Sequence, residues 1–409
     1  MSSSARITIN GHELISWKDT YKKWYFRNDD TKINILEDSL GVDDETIFGY
    51  KASVNTIKRR LQLDGYDLKS AEKDFNDTKL IWIKDIYDTL EIHRVEVELS
   101  GHFLNEEDMK HLTEDLKVIK ETNFQDWIEK IPEALKLLEV QGRGWIPDRE
   151  KWDPVLYFML SYSIGILDTN KGFVDQLFPC MQMESYAVVL LKLSNDSDDC
   201  ILNLSGLPSN VWSDFLDDRG HKQASETKLY NDFLHSLSEL STLNQVNKNS
   251  LIQRMIFLNV ITSMETYLSE TMKRHVLNRH AIKRRFVESF NAFNKNIKES
   301  EVFGFIDGLD KKLVDEIDGI SFHNVDKVSG LFKNVLLCYF PEDKIPELKN
   351  YIQIRHDIVH RNGRSTDGLM VTVTQDDVEK VIRLVHRIVE HIDKQIISGL
   401  PDDKMNIIK

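Results

Sequence analysis

Arg355-His356-Asp357-Ile358-Val359-His360-Arg361-Asn362-Gly363-Arg364 packs two His, three Arg, one Asp and one Asn into ten residues. That mix suits acid–base and phosphate chemistry better than packing. The spacing predicts a helix over 345–361. Leu348, Ile352 and Val359 fall near one stripe, and Ile354 and Ile358 near another. Asn362-Gly363 is a natural stop, because both residues tolerate the left-handed conformation.

Outward from this helix the pattern is helical on both sides. Downstream, Val378, Ile382, Val385, Val389, Ile392 and Ile396 form an apolar stripe over 376–397, with Asp376 and Asp377 at its start. Upstream, helices are expected over 229–243, 251–276, 283–293, 309–317 and 326–338. The last 160 or so residues therefore read as an α-helical bundle.

The first part of the chain reads differently. Residues 6–9 and 12–17 flank Asn10-Gly11, which predicts a hairpin. A further strand is expected at 46–50. Helices are expected at 53–63, stopped by Gly65, and at 68–75 and 80–90. A strand is expected at 92–99, and helices from Asn105 through Leu138. Gln141 to Asp148 reads as a loop, and 155–167 as a buried helix. Tyr186 to Leu193 reads as a strand and Cys200 to Leu204 as its partner, with the acidic turn 195–199 between them. A helix is expected at 207–218.

The fold class is thus mainly α, with an α+β N-terminal region. The expected division is a regulatory or sensor domain over 1–170, a connecting region with short strands and helices over 171–245, and the helical bundle over 246–409.

The charge is as uneven as the pattern. The 409 residues carry a formal net charge of −14. Residues 246–409 hold 25 Lys and Arg against 23 Asp and Glu, whereas residues 1–245 hold 28 against 44. All seven Trp also lie before residue 213. Two regions with different jobs are expected. An acidic surface with Trp fits protein recognition, and a plain α+β core accounts for it equally.

Several classes find no support. The three Cys, Cys180, Cys200 and Cys338, form no CxxC pair and sit near no His at ligand spacing, so buried reduced thiols are expected and no metal site. There is no G-x-x-x-x-G-K loop, no HExxH, no G-x-S-x-G and no EF-hand loop. The N-terminal residues have no apolar core of a signal peptide, and no apolar run reaches the ~18–20 residues that span a bilayer. A cytoplasmic protein without cofactor or membrane contact is expected.

Arg355 and His360 carry the chemical expectation. Arg offers a fixed fork of donors to a phosphate. His titrates near neutral pH and can move a proton. Together they suffice to cleave RNA without a metal. A base activates the ribose 2′-OH, which attacks the adjacent phosphorus while a cation stabilises the added charge. The products are a 2′,3′-cyclic phosphate and a 5′-OH, and DNA is spared. Five residues apart, the two side chains differ by about 140° in azimuth and about 7.5 Å along the axis. His356 and His360 share a face. Against this stands a plain alternative, in which basic residues at a helix C-terminus only complement its dipole.

Ile354 to Gly363 resembles the Arg-x4-His signature of HEPN-superfamily ribonucleases. The likeness extends through the helix 251–276 and the segment Thr366-Asp367-Gly368 to the last helix. It implies a catalytic Arg355 and His360, with His356 as the polar residue after the Arg, and Asn362 and Asp357 in support. It also implies an acid such as Glu265 on the helix packed near the motif. The resemblance further implies a homodimer in which two motif helices face each other, RNA as substrate, a toxin or antiphage role, and a regulatory or phage-derived protein partner.

Arg361 and Arg364 are expected to contact RNA or to tune charge. Lys283, Arg284 and Arg285, in the basic run 279–285, read either as an RNA groove or as a solvated basic face. Residues 49–66 resemble the N-terminal domain found before HEPN and Toprim modules. Within them Arg59 and Arg60 read as a phosphate contact or, more simply, as helix-surface charge. Two rival readings stand beside the nuclease. One is a non-catalytic module that binds RNA or protein through the bundle. The other makes the acidic first part an inhibitor of a basic cleft.

Overall fold

A computed structural model describes residues 5–17, 24–27, 29–36, 46–100, 106–141, 148–161, 177–206 and 226–400. The chain divides into two compact units, Met1–Gln62 with Tyr66–Asp217, and Leu63–Gly65 with Asp218–Lys409.

The first unit holds a five-stranded antiparallel sheet and six helices among the described residues. The strands are β1 (Ala5–Ile9), β2 (His12–Trp17), β3 (Thr31–Leu36), β4 (Thr46–Ser53) and β5 (Asp199–Asn203), in the order β2-β1-β5-β4-β3. Asn10 and Gly11 both take positive φ, 49° and 79°, which is why their dipeptide closes the β1–β2 hairpin. In β1, Ala5, Ile7 and Ile9 are buried and Arg6 is exposed, the alternation of a one-sided strand.

The helices of this unit are α1 (Val54–Asp64), α2 (Leu68–Ser100), α3 (Glu106–Glu121), α4 (Phe124–Gln141), α5 (Pro154–Ser161) and α6 (Met183–Leu193). Gly65 stops α1 with φ of 103°. Trp82 and Trp127 are buried with their ring centroids 6.2 Å apart, and Phe158 lies 5.5 Å from Trp127. For these two Trp the core reading holds.

Three expectations are corrected here. Residues 92–99 continue α2 and are no strand. A nucleated helix gains one hydrogen bond per added residue, and that outweighs a loose two-residue alternation. Tyr186 to Leu193 is helix α6, with Ser185 to Leu191 buried without a break. A continuous apolar run does not distinguish a buried strand from a helix buried on all sides. The strand over 199–203 therefore pairs with β1 and β4 instead.

Arg60 is neither a phosphate contact nor surface charge. Its side chain is 3% exposed and grips Asp30 through two bonds, Nη1 to Oδ2 at 2.7 Å and Nη2 to Oδ1 at 2.9 Å, while Nη1 also donates to the Tyr25 carbonyl at 2.8 Å. The loop expected at 141–148 and the helix expected at 207–218 lie for the most part or wholly outside the described residues, as does the end of the helix expected over 155–167.

The second unit is all helical among its described residues. Its helices are α7 (Lys228–Val246), α8 (Ser250–Asn278), α9 (His280–Ser289), α10 (Val302–Asp318), α11 (Val325–Leu336), α12 (Ile345–His360) and α13 (Gln375–Gly399). The segment 171–245 thus splits, with α6 and β5 in the first unit and α7 in the second. Helices α7, α8 and α13 pack together around a core that includes Phe233, Phe257, Val260, Met264, Val385 and Ile392. Helix α12 packs on α8 and α13, and α9, α10 and α11 surround the far end of α8.

Caps and one buried carboxylate fix these helices. Thr374 and Asp377 form a reciprocal capping box at the start of α13. Asp393, 2% exposed on α13, accepts the Thr227 backbone N–H at 3.1 Å, the Thr227 hydroxyl at 2.6 Å and the Tyr267 hydroxyl at 2.9 Å. A buried charge is tolerable here because three donors replace its water. The same group ties the start of α7 to the middle of α8.

Candidate active site

Helix α12 enters with Pro346 in its first turn, where no backbone donor is lost. It ends as its sequence predicts. Arg361 leaves the helix, and Asn362 and Gly363 take positive φ of 51° and 76°. The Arg361 and Gly363 N–H groups both return to the Asp357 carbonyl at 3.1 Å, the wrap of a left-handed helix terminus. The chain then folds back through a tight hairpin, with Val371 N–H donating to the Gly363 carbonyl at 2.8 Å.

This short helix presents two chemical faces. On the inner one, Arg355 is 17% exposed and donates from Nη2 to Glu265 Oε2 at 3.3 Å. Glu265, also 17% exposed, sits midway along α8. On its other side His323 Nδ1 lies 3.1 Å from Glu265 Oε1, without an aligned hydrogen bond. One carboxylate therefore stands between a guanidinium and an imidazole. Such a clamp fixes the Arg355 head while leaving most of its donors available.

On the outer face His356 and His360 lie side by side, their ring centroids 4.7 Å apart. Both are exposed, and so is Val359 between them, 49% exposed. Val359 thus departs from the apolar stripe expected for it, and an outward face that pairs two imidazoles with an apolar side chain takes its place. Among the described residues no hydrogen bond or ion pair joins Arg355 to His360 within one chain. The five-residue spacing sets them on different sides of the helix, as the geometry requires.

The supporting residues are accounted for in turn. Asp357 is buried and holds the helix end, accepting from Gln353 Nε2 at 3.0 Å and from Arg361 Nη1 at 2.6 Å. Arg361 is thereby neutralised in place. Arg364 is exposed and donates to the Gly368 carbonyl at 3.0 Å, inside the hairpin that follows the helix. Lys283 pairs with Asp310 at 2.6 Å, and Arg284 with Glu288 at 2.8 Å. They and Arg285 lie on α9, whose first residue is fifteen positions beyond Glu265, roughly 22 Å along a helix axis. The basic run and the motif are therefore separate features of the bundle.

The comparisons with known proteins agree with this division. The HEPN/Toprim N-terminal domain 1 family matches residues 1–228. The RiboL-PSP-HEPN family matches residues 224–398. The chain belongs to the HEPN superfamily. Its HEPN domain is the helical unit that carries α12, and its HEPN/Toprim N-terminal domain is the unit that carries the sheet. No curated protein and no solved structure matches the chain. HEPN domains are generally ribonucleases or nucleotide-related effector modules, and they often dimerise and bind RNA.

Two HEPN-domain residues near the motif escape sequence reasoning. His323 comes from the turn before α11, and Arg254 from the first turns of α8. Neither belongs to a recognisable local pattern. Arg254 could have been flagged by helical spacing, since it stands eleven residues, about three turns, before Glu265 on the same face. Among the described residues no group of three or more His, Cys, Asp and Glu is placed to hold a metal ion, and no helix is long and apolar enough to cross a membrane.

Proposed function

We propose that the HEPN domain is a metal-independent endoribonuclease that acts in the cytoplasm as a toxin or antiphage effector. The observation that carries this reading is the two-faced motif helix. Arg355 is clamped by Glu265, while His356 and His360 stand together on the open face.

In this reading His360 moves the proton between the ribose 2′-OH and the reacting oxygens. Arg355 stabilises the charge that builds on the scissile phosphate. His356 stands beside His360 and helps to orient it. Arg364 is a cation for the RNA backbone near the cut, Arg361 serves there only while held by Asp357, and Lys283, Arg284 and Arg285 would meet the strand farther along it. Asn362 ends the helix so that His360 is its last residue.

Arg355 and His360 diverge within one chain, so a site built from one copy lacks a shared focus. A homodimer that sets the open faces of two α12 helices against each other supplies it, by two-fold symmetry. Val359 then becomes contact surface. The N-terminal unit, with its acidic charge, is the regulatory part that senses a trigger such as a phage-derived protein.

RNA cleavage in EDTA tests the reading. Cellular RNA is expected to be cut by the wild type, with His360→Ala and Arg355→Ala each slower by roughly 10²–10⁴-fold. Equal cleavage by all three proteins would mean that the activity resides elsewhere. RNA binding without cleavage by any of them would favour a non-catalytic interaction module.

A further inference from the structure

The cations around the motif are not equivalent. Arg355 is paired with Glu265, and Arg361 with Asp357. Arg254 has no acid partner among the described residues. Its Nε is buried and makes no hydrogen bond. A guanidinium in that state has lost water at one donor without gaining a partner there. The expected return for such a cost is a bound anion.

The surroundings show how the guanidinium is held. A β-carbon on Gly363 would stand 2.5 Å from Arg254 Nη1, so the guanidinium occupies the place where any other residue would carry its side chain. Gly363 is itself buried. The missing side chain therefore does two things. It permits the φ of 76° that ends α12, and it lets Arg254 approach the backbone three residues beyond His360. Arg364, the next residue, is exposed and has no acid partner among the described residues either, and its guanidinium donates to the Gly368 carbonyl. Two uncompensated guanidinium groups thus flank one buried glycine at the end of the motif helix.

We infer that Arg254 binds a phosphate of the RNA strand that neighbours the scissile one, with Arg364 on the open side of the same phosphate. This rests on the reading of α12 as the ribonuclease site and adds a subsite to it. Gly363 follows His360 by three residues, so the Arg254–Gly363 contact lies just beyond the end of the motif helix. The substrate must then extend at least one phosphodiester beyond the cut bond. A dinucleotide with a single phosphodiester would be a poor substrate.

The test is RNA binding as a function of salt, in chains that also carry His360→Ala so that the strand stays intact. A single-stranded RNA pool binds, and log K falls against log salt. Removing one phosphate contact by Arg254→Ala should flatten that slope by about 0.7, and Arg254→Lys should restore it. Gly363→Ala, which pushes a methyl group into the guanidinium without changing any charge, should weaken binding in the same direction. Thermal unfolding of each variant identifies those that remain folded. An unchanged slope in folded Arg254→Ala would overturn the assignment of Arg254 and leave the Arg355–His360 site standing. Absence of RNA binding in every protein, the Arg254-intact one included, would instead overturn the ribonuclease reading, and this subsite with it.

Discussion

At the scale of single residues the site is a matter of which charges are spent. Glu265 holds Arg355 by one nitrogen and faces His323 on its other side. If the carboxylate positions the guanidinium and takes no part in proton transfer, Glu265→Gln should keep the shape of the pH–rate profile while lowering kcat by roughly tenfold, the worth of about 1.4 kcal/mol. A displaced pH optimum would instead give Glu265 or His323 a share in the proton chemistry. The residues also show what a sequence reveals. Asn362-Gly363 was readable because only a few residue types tolerate positive φ, and both adopt it. Arg60 was not readable, because its partner Asp30 is thirty residues away and nothing local distinguishes a buried arginine from a surface one.

Elements were legible in proportion to how local their causes are. Helices α7, α8, α11, α12 and α13 announced themselves by apolar stripes and stop residues, and the β1–β2 hairpin by its turn. Strand β3 carries no strong local signal, and α6 reads equally well as a strand because a fully apolar run has no face. The position of β5 is the most non-local feature, since a strand at 199–203 inserts between β1 and β4. Gly49 marks how tight that insertion is. A β-carbon there would overlap the Leu202 carbonyl oxygen across the β4–β5 pair. Glycine in a strand interior commonly marks such close approach. Gly49→Ala should therefore destabilise the sheet-bearing unit by about 3 kcal/mol or more, read from urea unfolding. An unchanged midpoint would show that β4 and β5 are not in this register. By contrast Thr374→Ala, which opens the capping box of α13, should cost only about 1 kcal/mol.

At the scale of the molecule, an acidic unit with a sheet is joined to a helical HEPN domain in which basic and acidic residues balance. The helical domain carries its own pH dependence. His275 is buried on α8, and desolvation, reinforced by Arg279 and Arg274, pushes its pKa down to about 3. In the unfolded chain it returns to about 6.5. Between those values the unfolded chain binds a proton that the folded one refuses. Stability from this group is therefore full above about pH 6.5 and is lost as the pH falls toward 3. From pH 7.5 to 5.5 wild type should lose about 1.4 kcal/mol more than His275→Gln, measured by urea unfolding at both values. Equal losses would mean that His275 is protonated in the folded domain. The central claim, that the motif helix cuts RNA through the ribose hydroxyl, is tested most directly by the ends that the cut leaves. Cellular RNA treated with wild-type protein in EDTA should yield 2′,3′-cyclic phosphate and 5′-OH ends, absent after treatment with His360→Ala. Ends of the 3′-OH and 5′-phosphate type, or cyclic ends that persist with His360→Ala, would contradict it.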